Sequence, residues 1–244
     1  MNDRIRKQWE RLGANDPYWA VLANPEKRDG NWNPAEFFRT GEKQVVRLLS
    51  RLENLGLELK FGSVLDFGCG VGRVSRALSE RFDQVIAVDV SGSMLDEARK
   101  ANQHIGNIAF VHNTAVDLSV IPDGSIDFVY TNMVLQHMPR QQQIVFIREF
   151  CRILRPKGFL SMQTHAKNNL KSWQGWVHLL TGNAGIELIN RFQHGRPNGM
   201  EMHTIPARTV IKALEHANMN LIDMKQLTGG FSATVRIHYI AHKN

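Results

Sequence analysis

Asp66-Phe67-Gly68-Cys69-Gly70-Val71-Gly72-Arg73 is the stretch whose reading decides the fold. It ends a short apolar run that begins at Ser63, and helical texture follows over residues 74–82, so a strand hands over to a helix at the glycines. Glycines at such a junction let the backbone turn sharply and approach a ligand, and the helix N-terminus offers unpaired N–H groups. A dinucleotide fingerprint, G-x-G-x-x-G, needs its third glycine at position 73, where Arg73 stands. The G-x-x-x-x-G-K-[ST] pattern of a P-loop is missing too.

Downstream, strands are expected at 84–88, 107–112, 126–130 and 159–164, with helices at 91–102, capped by Ser91, and at 139–154. Strands alternating with helices at this spacing need crossover connections, hence a parallel sheet covered on both faces. That is a doubly wound α/β domain, whose ligands sit off the carboxyl ends of the strands. Upstream, Asn33-Pro34-Ala35-Glu36 reads as a helix start with Asn33 as cap, Pro34 at the first helical position and Glu36 reaching back. Phe37, Val45, Leu48, Leu49, Leu52 and Leu55 continue at helical spacing to Gly56, a C-terminal capping glycine. The first 33 residues read as a short helix plus an irregular arm. In the tail, a helix over 207–217 precedes strands at 221–227 and 234–241, joined through Thr228-Gly229-Gly230 as an antiparallel pair. The expected organisation is a helical arm or cap over 1–61 and one domain over 62–244, with a helical insertion at about 166–205.

With 43% hydrophobic and 22% charged residues over 244 positions, the chain is neither disordered nor fibrous. Apolar runs stop short of the ~18 residues a membrane span needs. Met1-Asn2-Asp3-Arg4 leads into no signal-peptide core, so no membrane span and a cytoplasmic location are expected. Two cysteines, Cys69 and Cys151, make neither a disulfide framework nor a four-cysteine zinc site. The net charge of +7 raises nucleic acid or a membrane surface as a partner, but the excess is concentrated in residues 161–244, with 9 basic against 4 acidic side chains. There it is scattered over Lys167, Lys171, Arg191, Arg196, Arg208 and Lys212, which reads as a solvated basic face or as complement to an anionic substrate or phosphate backbone.

The G-x-G-x-G spacing, with an acidic residue two before the first glycine, resembles the first motif of the class I S-adenosylmethionine (SAM)-dependent methyltransferases. Ile86-Ala87-Val88-Asp89-Val90-Ser91, with Met94-Leu95 after it, is similar to that family's second strand and its terminal acidic residue. Pro122-Asp123-Gly124-Ser125-Ile126-Asp127-Phe128-Val129 and Asn132-Met133-Val134-Leu135-Gln136-His137-Met138-Pro139 resemble the approach to strand four and the loop after it. Glu149-Phe150-Cys151-Arg152-Ile153-Leu154-Arg155-Pro156-Lys157-Gly158 resembles the turn into strand five of the small-molecule "type 11" branch. The resemblance, over 64–164, implies a Rossmann-like, mostly parallel seven-stranded sheet ending in the antiparallel pair. It also implies SAM as cofactor, S-adenosylhomocysteine as product, no metal, and methyl transfer to oxygen or nitrogen of a small-molecule acceptor.

Carried onto this chain, the family's motifs put Gly68, Cys69, Gly70 and Gly72 against the methionine part of the cofactor. Asp66 orients the loop or meets the ammonium group, and Asp89 accepts the ribose hydroxyls beside Val90. Thr114, Ala115 and Val116 stand where the family reads adenine, with Thr114 in place of the usual carboxylate; Met94 packs on the ring or in the core. Asn132 completes the cofactor-binding set. His137 and His165 follow strands four and five and are the candidate catalytic bases, with His203 behind them. Trp173, Trp176 and Leu180 form one helical stripe, used in the core, at a homodimer contact or as a lid. Two other readings are a nucleic-acid methyltransferase and a SAM-binding regulator without turnover. The first is disfavoured, since Asn132-Met133-Val134-Leu135 stands in place of the Asn/Asp-Pro-Pro-aromatic tetrapeptide of base-amino enzymes and neither cysteine is placed as a pyrimidine nucleophile.

Overall fold

The computed structural model describes residues 3–194, 200–227 and 233–244. Arg196 and the Thr228-Gly229-Gly230 connection lie outside the described residues. Strands β1 (Ser63–Phe67), β2 (Gln84–Asp89), β3 (Ile108–His112), β4 (Ile126–Thr131), β5 (Leu154–Asn168), β6 (Met219–Leu227) and β7 (Thr234–Lys243) form one sheet. Their order is β3-β2-β1-β4-β5-β7-β6. β1 runs parallel to β2 and β4, β2 runs parallel to β3, and β6 and β7 are antiparallel. The doubly wound, mostly parallel seven-stranded sheet with its antiparallel C-terminal pair is therefore as expected. The order reverses between β1 and β4, and at such a switch point the crevice off the strand ends takes ligands.

The chain divides into two compact units, Met1–Tyr130 with Ile153–Phe159, and Thr131–Arg152 with Leu160–Asn244. In the first, every residue of β1 and β4 is buried, the signature of strands covered on both faces. Helices α1 (Asp3–Asn15), α2 (Pro17–Val21), α3 (Pro34–Asn54), α4 (Arg73–Ser79) and α5 (Gly92–Ala101) complete it. The expected single helix of the arm is thus two helices, with a 3-10 turn at Pro25–Lys27 after them. Asp16 caps α2 by accepting from the Trp19 N–H. Asn33 caps α3 by accepting from the Glu36 N–H at 3.1 Å, but Glu36 does not close a capping box; its carboxylate pairs with Lys27 at 2.8 Å. At the other end, Gly56 donates to Glu53 and Leu57 to Leu52, with Gly56 at φ 68°, the glycine-terminated cap the sequence announces.

Gly41 in α3 is where the arm meets the glycine loop's helix. A Cβ there would lie 2.2 Å from the Arg73 carbonyl oxygen, which is backbone and cannot swing away. Gly41→Ala is expected to lower stability by about 1–3 kcal/mol despite alanine's better helix propensity. Chemical denaturation checks this, and an unchanged or raised midpoint would contradict the close approach.

The second unit holds α6 (Arg140–Ile153), most of β5, α7 (Trp173–His194), α8 (Ala207–His216), β6 and β7. β5 is longer than expected because the Pro156-Lys157-Gly158 corner is a bend within the strand, with Lys157 alone at φ 65°. Gly182, at φ 63° and ψ −152°, kinks α7. Among the described residues no helix is long and apolar enough to cross a membrane.

Candidate functional site

The glycine loop is built by the end of β2. The amides of Gly68 and Cys69 both donate to the Val88 carbonyl, at 2.8 and 3.1 Å, and the Gly72 amide donates to Cys69 at 3.0 Å. Gly68, Gly70 and Gly72 lie at φ 76°, 55° and 77°, where an L side chain is strained. At Gly70 space is short as well, since a Cβ would stand 2.6 Å from Val21 Cγ2 of α2. Cys69 is buried and burial pushes its thiol well above the ordinary range, so it stays protonated and is no nucleophile.

Asp89 closes this loop. Its Oδ2 accepts from the Gly70 N–H at 2.8 Å and its Oδ1 from the Ser91 N–H at 3.0 Å. Burial raises its pKa, and those amides oppose the rise by favouring the charged form. The Gly70 and Ser91 hydrogen bonds take one lone pair on each oxygen and the Val90 amide also faces the carboxylate, so part of its acceptor capacity remains for a ligand hydroxyl. Acceptor capacity left on a half-buried carboxylate suits hydroxyls such as those of ribose, and this is how the site fits a nucleoside cofactor. Beside it, the Val90 carbonyl accepts from His112 Nε2–H at 3.0 Å.

The sequence reading missed what holds this edge. Glu10 of α1 accepts from Ser91 Oγ and from the Ser93 N–H, both at 3.1 Å, and Tyr18 of α2 donates to Glu97 at 3.0 Å. Met94, 1% exposed, packs beneath Gly13 of α1 as a core residue. An isolated Glu in a charged helix carries no signal of a partner some eighty residues away; the detectable clue was the Ser91-Gly92-Ser93 run, which offers more donors than one cap uses.

Asp66 is 3% exposed, and burial lifts its pKa to about 6 against the Ser75 hydrogen bond and the Arg73 charge. Its Oδ2 accepts from Ser75 Oγ at 2.6 Å, so it ties β1 to α4. Arg73, which ruled out the dinucleotide motif, is itself buried. It donates to Thr40 Oγ1 at 3.1 Å and Gln44 Oε1 at 2.7 Å, and the Gln44 amide donates to the Tyr130 hydroxyl. This chain of polar groups runs from α3 under the glycine loop to the end of β4.

After β3, Asn113 shapes the turn that carries Thr114, Ala115 and Val116. Its Oδ1 accepts from the Ala115 N–H at 3.0 Å and its amide donates to the Asp117 carbonyl at 2.7 Å. The turn leaves those three residues exposed. An Asn directly after a strand is a turn signal, and Asn113 was readable as such.

Asn132, His137 and His165 belong to the second unit. Asn132 is half-buried in the loop after β4, next to Met133 at φ 61°. His137 donates from Nδ1 to the Glu201 carbonyl at 2.8 Å, which leaves Nε2 to accept from the Gln136 amide at 3.2 Å. His165 shares a hydrogen bond between Nδ1 and Thr234 Oγ1, and its carbonyl accepts from the Ile205 N–H. The backbone over 203–205 is thereby pinned to both, since the His203 N–H also donates to the Gln136 carbonyl.

Burial lowers His137 to about 4 and His165 to about 3, from an ordinary 6.5. Both stand neutral at pH 7. Because the folded values lie below the unfolded one, the unfolded chain takes up protons first as pH falls below 6.5, and stability is lost toward pH 4. Asp66, raised from 3.8 to about 6, acts with the opposite sign in the other unit. The unfolding midpoint is expected to fall from pH 7 to pH 4, and His165→Gln to flatten that slope. An identical slope in the variant would contradict the buried neutral imidazole.

Residues 64–158 match the model of a methyltransferase domain family. The chain is 31% identical to the trans-aconitate 2-methyltransferase of Deinococcus radiodurans over 183 residues, 72% of this chain and 65% of that protein. It is 36% identical to the malonyl-[acyl-carrier protein] O-methyltransferase of Enterobacter lignolyticus over 141 residues, 57% of this chain and 50% of the other. The chain thus spans half to two thirds of the length of these curated relatives. The crystal structure of the N-methyltransferase NodS from Bradyrhizobium japonicum, in complex with S-adenosylhomocysteine, shares the fold with a TM-score of 0.64. That likeness covers 99% of both chains at 17% identity.

Proposed function

We propose that this chain, a member of the class I SAM-dependent methyltransferase family through residues 64–158, methylates a small-molecule acceptor on oxygen, a carboxylate foremost, in the cytoplasm. The observation that carries the cofactor is Asp89: a half-buried carboxylate anchored by the Gly70 and Ser91 amides, with acceptor capacity left over beside a loop of three left-handed glycines. Asp89 holds the ribose hydroxyls, and Gly68, Cys69, Gly70 and Gly72 run against the methionine portion. The exposed turn at Thr114, Ala115 and Val116 meets adenine through Val116 and backbone carbonyls, because the Ala115 amide is already taken by Asn113. Asp66 holds the loop through α4, and Asn132 follows β4 as the remaining cofactor contact. Residues 1–61 cap the site, and the segment at about 166–205 selects the acceptor.

SAM, when bound, supplies a methyl group already activated on a sulfonium, so the protein's share of the work is positioning and exclusion of water. A carboxylate acceptor arrives deprotonated and needs no base. That suits His137 and His165, whose low basicity makes them poor partners for a hydroxyl proton and whose hydrogen bonds hold 201–205 in place. The names of the trans-aconitate and malonyl-carrier relatives support the same acceptor class.

Small carboxylic acids screened with methyl-labelled SAM should yield a volatile, alkali-labile methyl ester. An alkali-stable product, or none on any carboxylic acid, would overturn the acceptor class. On the acceptor so found, His137→Ala is expected to keep kcat within about tenfold; a general base would cost about 10²–10⁴-fold. A loss that large, with SAM affinity unchanged, would reinstate proton abstraction by His137.

A further inference from the structure

The first half of α7 turns the stripe noted in the sequence outward. Trp173 is 48% exposed, Trp176 50% and Leu180 77%, and Leu170 and Leu179 widen the face at about half exposure. The opposite face is the one that packs. Gln174 and Gly175 are buried, and His178 bonds to Asn168 at 2.8 Å and to the Met202 carbonyl at 3.2 Å. Trp176 Nε1–H donates to the Leu170 carbonyl at 3.1 Å, which fixes that ring on the surface. These five large apolar side chains, each about half exposed or more, form a group of the kind that marks an interaction surface when it is contiguous.

Charge decides what covers them. Lys167 and Lys171 are exposed at the N-terminal edge, neither forms an ion pair with a described residue, and no Asp or Glu occurs between 167 and 185. A symmetric contact with a second copy would add two more lysines at the edge of the patch and no acidic residue from it. An anionic bilayer surface supplies the missing charge. It also takes indole rings at headgroup level and leucines just beneath. α7 carries Glu187 and Arg191 and kinks at Gly182, so it lies on such a surface and does not cross it. We propose that the face formed by Leu170, Trp173, Trp176, Leu179 and Leu180, with Lys167 and Lys171, docks this protein on anionic membrane. The face lies within the segment read above as selecting the acceptor, but vesicle binding and methyl transfer are measured separately, so either can fail without the other.

The test is cosedimentation of the full chain with vesicles of phosphatidylcholine alone or mixed with phosphatidylglycerol. Binding to the mixed vesicles, weakened by salt, is expected. Trp173→Ser with Trp176→Ser should abolish it, and Lys167→Gln and Lys171→Gln should each weaken it about five-fold. Circular dichroism and the thermal transition check that the variants fold, and the lysine variants decide if the tryptophan pair does not. No binding to mixed vesicles, or equal binding to both kinds, overturns the proposal. So does a dimer, seen by light scattering, that the tryptophan substitutions dissolve while no vesicle is bound.

Discussion

Asp89→Ala is expected to weaken SAM binding by about two to four orders of magnitude in isothermal titration. The carboxylate offers two charge-assisted hydrogen bonds to a diol, each contributing about 1.5–3 kcal/mol, and about 1.4 kcal/mol corresponds to tenfold in Kd. The same substitution strips the Gly70 and Ser91 amides of their acceptor, so the loop that must lie against the cofactor loses its anchor. Asp89→Asn separates the contributions, because a neutral amide keeps one acceptor oxygen while losing the charge. An intermediate loss is expected for Asn, and a wild-type affinity in Asp89→Ala would remove this residue from the site.

Gly70→Val is the most damaging single change expected in the loop. A β-branched residue at φ 55° is strained by the backbone alone, and its Cβ would press on Val21 Cγ2 at 2.6 Å. Left-handed strain of about 1–2 kcal/mol adds to overpacking of about 1–3 kcal/mol, a large part of a typical domain's stability. Gly70→Ala combined with Val21→Ala should recover the packing part and leave the backbone part. Equal stability of Gly70→Ala with and without Val21→Ala would show that the arm does not rest on the loop.

The fold was legible because its determinants are local. Burial on both faces makes β1 and β4 mainly apolar, broken by Asp66 and Asp127, and the Asn33 and Gly56 caps announce the ends of α3. The glycines of the loop were legible for the same reason, since positive φ demands them at their own positions. What escaped were contacts between distant segments. Glu10 against Ser91 and Ser93, Tyr18 against Glu97, and Arg73 against Thr40 and Gln44 obey no spacing rule, because each depends on where whole helices lie. The Glu36 half of the capping box failed for a comparable reason: Lys27, nine residues away, offers it a charged partner. The outward face of the Trp173 stripe was also hidden, as a helical period shows that residues share a face and not which way it points.

Titration of the intact chain with SAM and with S-adenosylhomocysteine, alongside folded Asp89→Ala, tests the cofactor assignment most directly. Saturable one-to-one binding by the natural chain, lost in the variant with its thermal transition retained, is the expected outcome. A folded natural chain that binds neither compound, or a variant that binds both as tightly, would contradict it.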